Sequence, residues 1–191
     1  VRLWKAIEVA GEFTIEFIEE IKMSYIETVD QKTGNTIKLD VSESELKQLR
    51  DAADQCKPTM SRDALHTFID NLNVSADVKA LLIKLLDQAI NLAGVTFAIG
   101  RKIIEMLVYF VRKYPNMAMG MLIGAVLGAI FSSIPFLGWV LGSVVTPILI
   151  LLGGGLGFWQ DLKDKDLKDA ISAATEQTFG GFRNFTIPTQ R

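Results

Sequence analysis

Apolar residues recur at helical spacing through most of this chain, and the places where that spacing breaks divide it into segments. From Leu3 the series Leu3, Ile7, Ala10, Phe13, Phe17, Ile21 and Tyr25, with Glu8, Glu12, Glu16 and Glu19 between them, predicts an amphipathic helix. Gly11 and the β-branched Ile7, Val9, Thr14 and Ile15 weaken it, so it needs packing to hold. Alternation then replaces the helical period on both sides of the turn-rich segment Asp30 to Asn35, which predicts a small β-hairpin at 26–41. Two strands alone are marginal in water, so this hairpin must pack on helices or pair with a further strand or chain.

Ser42 stands three residues before Glu45, the spacing of a capping box, and Leu46, Leu49 and Ala53 follow in a helix expected to stop before Pro58. Thr59 or Ser61 can cap a second helix with Leu65, Phe68, Ile69 and Leu72 on its apolar face. Ser75 can cap a third, carrying Val78, Leu81, Leu82, Leu85, Leu86 and Ile90. The uncharged segment Gln88 to Gly100 is too short for a membrane span and reads as a buried core helix, continued by Ile103 to Val111 up to Arg112 and Lys113.

The pattern then changes in kind. All 20 basic and 22 acidic residues lie outside residues 114–160. Asn116 to Ile134 is 19 residues, about 28 Å as a helix, and Phe136 to Trp159 is 24, about 36 Å; both match the hydrocarbon thickness of a bilayer. Pro115 suits a first turn, Pro135 separates the runs, and Pro147 with Gly153-Gly154-Gly155 is expected to kink or loosen the second. The link at Ser132 to Pro135 is too short to cross anything, so the two helices are antiparallel: a hydrophobic, transmembrane-type helical hairpin. Gly120, Gly124 and Gly128 share one face and admit a neighbouring backbone, within the hairpin or between protomers; Gly138 with Gly142, and Gly153 with Gly157, repeat the spacing. Trp139 near the tip and Trp159 at the exit suit interfacial positions. A helix apolar all round belongs either in lipid or at the centre of a bundle, and the sequence favours lipid at some stage of the protein's life.

Beyond the hairpin, Asp161 to Gln177 predicts a short surface helix with Leu162, Leu167, Ala170, Ile171 and Ala174 on one side, followed by Phe179, Phe182 and Phe185 beside Gly180-Gly181. These aromatics either dock on the bundle or sit among lipid headgroups, with docking slightly favoured. The chain thus reads as mainly α: an amphipathic region at 1–114 with the β-hairpin, a hydrophobic hairpin at 115–160, and an amphipathic helix with an aromatic tail at 161–191.

Charge and chemistry narrow the function. A net charge of −2 with no basic cluster argues against a sequence-independent nucleic-acid partner, since that affinity comes from basic residues releasing counterions. Cys56 is the only cysteine and His66 the only histidine; this excludes a disulfide framework and the usual zinc sites, and the ten residues between them argue against a catalytic dyad. The acidic residues among the first twenty are incompatible with a secretory signal peptide. The glycines at 153–157 lack the Lys and Ser/Thr of a phosphate loop, so neither a cofactor nor an enzymatic activity is expected. Arg101, Lys102, Arg112 and Lys113 precede the hairpin and Lys163, Lys165 and Lys168 follow it, while the tip has no charge; a resident hairpin would keep both ends on the cytoplasmic side of an inner or plasma membrane. An uncharged tip can cross a bilayer without moving a full charge.

Amphipathic helices leading into a long uncharged hairpin near the C-terminus, over roughly Ser61 to Ile171, resemble the pore-forming domain of colicin-type bacteriocins. The resemblance is architectural and rests on no short motif. It implies a helical bundle that buries the hairpin in water and inserts it into a bilayer as a voltage-gated, ion-conducting pore. The β-hairpin and the long tail depart from that all-helical plan. Two readings follow: a pore-forming protein acting on a lipid bilayer by hairpin insertion, soluble beforehand, or an integral membrane scaffold or complex subunit, anchored by the hairpin, with no pore of its own. Both allow a homo-oligomer.

Overall fold

The computed structural model describes residues 24–29, 36–92, 95–153, 159 and 162–183. Among these, the elements in chain order are β1 (Ser24–Val29), β2 (Thr36–Val41), α1 (Glu43–Gln55), α2 (Arg62–Asp70), α3 (Ala76–Leu86), β3 (Ile90–Leu92), β4 (Val95–Phe97), α4 (Ile99–Lys113), α5 (Met119–Ser133), α6 (Pro135–Leu151) and α7 (Lys165–Phe179), closed by a 3₁₀ turn at Gly180–Phe182. The fold is mainly helical. The helix expected from Leu3 lies outside the described residues, and its last position, Tyr25, belongs to β1.

The expected β-hairpin is present, and it has company. β1 pairs antiparallel with β2, from Ser24↔Val41 to Val29↔Thr36, and its other edge pairs antiparallel with β3 through Ile26↔Leu92 and Glu27↔Asn91. β3 pairs in turn with β4, giving a four-stranded sheet in the order β2-β1-β3-β4. This overturns the core helix expected across 88–100. Ile90-Asn91-Leu92 and Val95-Thr96-Phe97 flank a two-residue Ala-Gly connection, and a short link with glycine between β-prone triplets favours a hairpin over a helical turn.

The helix starts follow the side chains. Ser42 and Glu45 form a reciprocal capping box, the Glu45 N–H donating to Ser42 Oγ at 3.3 Å and the Ser42 N–H to Glu45 Oε2 at 3.0 Å. The Ser42 hydroxyl also donates to Glu45 Oε2 at 2.6 Å, and this bond, together with that from the Ser42 N–H, holds the Glu45 carboxyl below its ordinary pKa. Ser61, Ser75 and Asp164 cap α2, α3 and α7 in the same sense. Helix α4 lacks a side-chain cap; instead the Gly100 N–H donates to the Gln88 carbonyl at 3.0 Å, so its first turn sits directly on the end of α3.

One core runs through the bundle. Helix α5 packs against α4, α6 and α7; α6 also packs on α3, α3 on α2 and α4, and α1 on the 3₁₀ turn and the sheet. The close approach at Gly100 is the tightest constraint, because a Cβ there would fall 1.8 Å from the Leu85 carbonyl oxygen, backbone against backbone. Gly100→Ala is accordingly expected to destabilise the protein by about 3 kcal/mol or more, read as a lowered urea midpoint at unchanged slope. A midpoint equal to wild type would show that α3 and α4 do not meet in this way.

Candidate functional site

The hydrophobic hairpin comprises α5 and α6, and its two helices are shorter than the sequence suggests. The chain stays non-helical from Tyr114 to Ala118, so Pro115 precedes α5 rather than entering its first turn. Pro135 opens α6 at its first position, and the helix ends at Leu151, with Leu152 as its C-cap and Gly153 at φ 88°. The 15 residues of α5 and 17 of α6 span about 22 and 26 Å, and no helix among the described residues is long and apolar enough to cross a membrane. The transmembrane-type lengths expected from the uncharged runs are therefore corrected: prolines and glycines cut helices out of a longer apolar stretch.

The two helices have different surroundings. From Leu122 to Ile130 every residue of α5 is buried, including Gly124 and Gly128, as befits a helix with no polar face. Helix α6 turns one stripe outward: Trp139, Gly142 and Pro147 are half-buried, and Pro135, Ser143, Thr146 and Ile150 are exposed. That stripe carries no charge. Pro147 lies inside α6, where it removes one backbone hydrogen bond. Gly120 is where the helices close at their open end, since a Cβ there would meet Leu152 Cδ2 at 3.3 Å; at the opposite end Gly138 would meet the Phe131 carbonyl oxygen at 3.5 Å.

Helix α7 is the short surface helix expected after the hairpin: it packs on α5, burying Leu167, Ile171, Thr175 and Phe179, and keeps its other side in solvent, a lid on the hairpin. Phe179 and Phe182 are 0% and 1% exposed, and Phe182 stacks on Phe136 of α6 with centroids 5.9 Å apart. The Thr175 hydroxyl, buried at this contact, finds no hydrogen-bond partner among the described residues, an unfavourable feature in an otherwise apolar seam. Trp159 is half-buried, with Lys168 Nζ 5.3 Å from its ring centre. Arg112 and Lys113 are exposed on the last turn of α4. Lys113 Nζ donates to the Tyr109 hydroxyl at 3.2 Å and lies over the Tyr109 and Tyr114 rings, contacts that raise its pKa.

One feature had no sequence signal. Glu105, in the middle of α4, gathers the corner between α1 and α2. The Thr59 and Met60 N–H groups donate to its Oε1, each at 3.0 Å, and the Thr59 hydroxyl donates to the same oxygen. Lys102 Nζ donates to Oε2 at 2.8 Å. Burial raises the Glu105 pKa, but the bonds from Lys102 and Thr59 outweigh it, and the net shift is downward. Cys56 closes the same corner: its thiol donates to the Thr178 carbonyl of α7, and burial pushes it up to about 12, which leaves no reactive thiolate near neutrality. His66 Nδ1 lies 3.0 Å from Asp70 Oδ2 on the surface of α2. Among the described residues no group of three His, Cys, Asp or Glu side chains gathers to hold a metal ion.

Comparison with protein-family models, curated proteins and solved structures gives no match.

The Glu105 clasp has a pH signature. Because the folded pKa lies below the unfolded one, its contribution is complete above the ordinary glutamate range and is lost as pH falls through the depressed value. Glu105→Gln is expected to cost about 1–2 kcal/mol near neutral pH and to flatten the fall of stability on acidification. Urea titrations at pH 7 and pH 4 read this, and an unchanged pH dependence in the variant would remove Glu105 from the account.

Proposed function

We propose that this chain is a membrane-active helical protein that carries an apolar hairpin inside a sheath of amphipathic helices and releases it into a lipid bilayer, forming or contributing to a pore. The observation that carries this reading is the setting of α5: a helix without a charged or strongly polar side chain, enclosed by α4, α6 and α7. Its burial satisfies water and lipid by turns. Enclosed, it is hidden from water; released, its surface is as suited to acyl chains as to the core it leaves.

Three further features agree with that reading. The hairpin tip, from Phe131 through Trp139, holds no charge to be dragged through hydrocarbon. Uncharged residues flank both helices, Asn116 to Ala118 before α5 and Leu152 to Gln160 after α6, so each helix has apolar or neutral chain into which to lengthen toward bilayer thickness. The lid α7 packs by one side only and buries one unpartnered group, the Thr175 hydroxyl, in its contact. The amphipathic helices left behind would turn their apolar faces to the interface, as such helices do on membrane surfaces.

The test uses Trp139 as the only tryptophan, with Trp4→Phe and Trp159→Phe, added to vesicles whose lipids carry bromine at different acyl depths. Insertion predicts strong quenching of Trp139 by deep bromines together with release of an entrapped dye. Deep quenching without dye release would favour the anchored-subunit reading over the pore. An absence of deep quenching and of release would reject both.

A further inference from the structure

The large apolar side chains exposed among the described residues are Tyr109, Met121, Ile150 and Leu151, at 53%, 43%, 65% and 50%. They come from three helices, in the last turns of α4 and α6 and the first turn of α5. Gly120 against Leu152 sets the start of α5 beside the end of α6, the end at which Met121, Ile150 and Leu151 stand exposed. Helix α4 ends five residues before Ala118 hands over to α5, with Tyr114 stacked on Phe110 and the Met117 N–H turned back on the Tyr114 carbonyl, so Tyr109 is delivered to the same end. Helix α7 arrives there too. Its far end is tied to the hairpin tip by Phe182 on Phe136, and its length of about 22 Å returns its start, with Trp159 and Lys168, to the open end.

Charge accompanies the apolar groups. Arg112 and Lys113 stand exposed beside Tyr109, and among the described residues neither is paired with an acidic side chain. With Tyr109 they line an open groove of about 410 Å³ that runs back to Thr59, Met60, Val108 and Glu105, whose charge is balanced by Lys102. The charges on the start of α7 alternate in sign and nearly cancel, which leaves the excess at this end positive. Exposed aliphatics, tyrosines with a lysine over their rings, a tryptophan with a lysine over its ring, and a basic excess are the chemistry of a surface that meets lipid headgroups. A second copy fits less well, because a two-fold contact through this patch would bring Arg112 and Lys113 of both copies together.

We infer that this open end, built from Tyr109, Arg112, Lys113, Met121, Ile150 and Leu151, is a docking face for an anionic lipid bilayer. It rests on the proposed function and adds an order of events to it: the end of the bundle opposite the hairpin tip makes first contact. Docking therefore precedes release of the tip, and the two steps depend on different residues.

The experiment measures partition of the full chain onto phosphatidylcholine vesicles and onto mixed phosphatidylcholine–phosphatidylglycerol vesicles by flotation, with dye release followed in the same samples. Two double variants are used, Arg112→Gln with Lys113→Gln, and Ile150→Ser with Leu151→Ser; all four residues are exposed, and circular dichroism checks that folding is retained. Wild type is expected to prefer the mixed vesicles. The basic pair's removal should weaken binding to them roughly 10- to 30-fold and abolish the preference. The serine pair should weaken binding to both vesicle types. Variants that bind as wild type does, or a wild type indifferent to phosphatidylglycerol, would overturn the docking face even if dye release persists, leaving the insertion reading intact. Docking with these dependences but without dye release would support the face and count against the pore. Loss of a wild-type oligomer in both variants with unchanged vesicle binding would reassign the patch to self-association.

Discussion

An α-helix with no polar side cannot meet water anywhere along its length, and α5 is such a helix from Leu122 to Ile130. Everything around it answers that constraint. Helix α4 supplies Ile103, Met106, Leu107 and Phe110 from its buried face, α7 supplies Leu167, Ile171 and Phe179, and α6 closes the remaining side with Leu137, Leu141, Val144 and Ile148. The sheath is amphipathic because it has two neighbours, solvent and α5. Phe182, after α7, is also turned inward, stacked on Phe136 where the hairpin turns.

The forces that hold this arrangement are unequal in kind. Contacts between α5 and its neighbours are apolar and exchangeable, since acyl chains offer nearly the same surroundings as side chains do. Directional bonds lie elsewhere: the clasp of Glu105 on Thr59 and Met60, the bidentate contact of Arg62 with Asp87 at 2.6 and 2.8 Å, and the ion pair between Arg183 and Glu176. The α1–α2 link, α2, α3 and α4 are thus joined by polar contacts, and the Arg183–Glu176 pair is local to the end of α7, whereas the contacts of the hairpin are mainly apolar. The open end, where Ile150 and Leu151 already stand in solvent beside Arg112 and Lys113, is where the division between polar and apolar is least complete.

Much of this architecture is legible in the sequence. The capping box at Ser42 and Glu45, the Ser75 cap, the strands around residues 30–35 and the antiparallel hairpin follow from local side-chain chemistry and appear where expected. Three things were not legible. The strands Ile90–Leu92 and Val95–Phe97 are too short for a periodic signal, and an uncharged stretch suits a buried helix as well as a buried strand. The true ends of α5 and α6 depend on where Pro115, Pro135 and Gly153 fall relative to tertiary neighbours, and hydropathy does not register that. Glu105 reads as one more charge on an amphipathic helix until the fold brings Thr59 and Met60 to it. The glycines at 120, 124 and 128 were visible as a face, and the structure gives that face a partner at Gly120, the Leu152 side chain of the same chain.

The central claim is that the hairpin is enclosed in water and uncovered at a bilayer, and hydrogen exchange of the full chain with and without phosphatidylglycerol-containing vesicles tests it most directly. The account predicts that in buffer the amides of Leu122 to Ile130 exchange among the slowest in the protein. With vesicles these amides should stay protected while those of α7 speed up, as the lid leaves a helix that has found lipid instead. Fast exchange of α5 in buffer, or an unchanged exchange pattern for α5 and α7 in protein bound to vesicles, would contradict it.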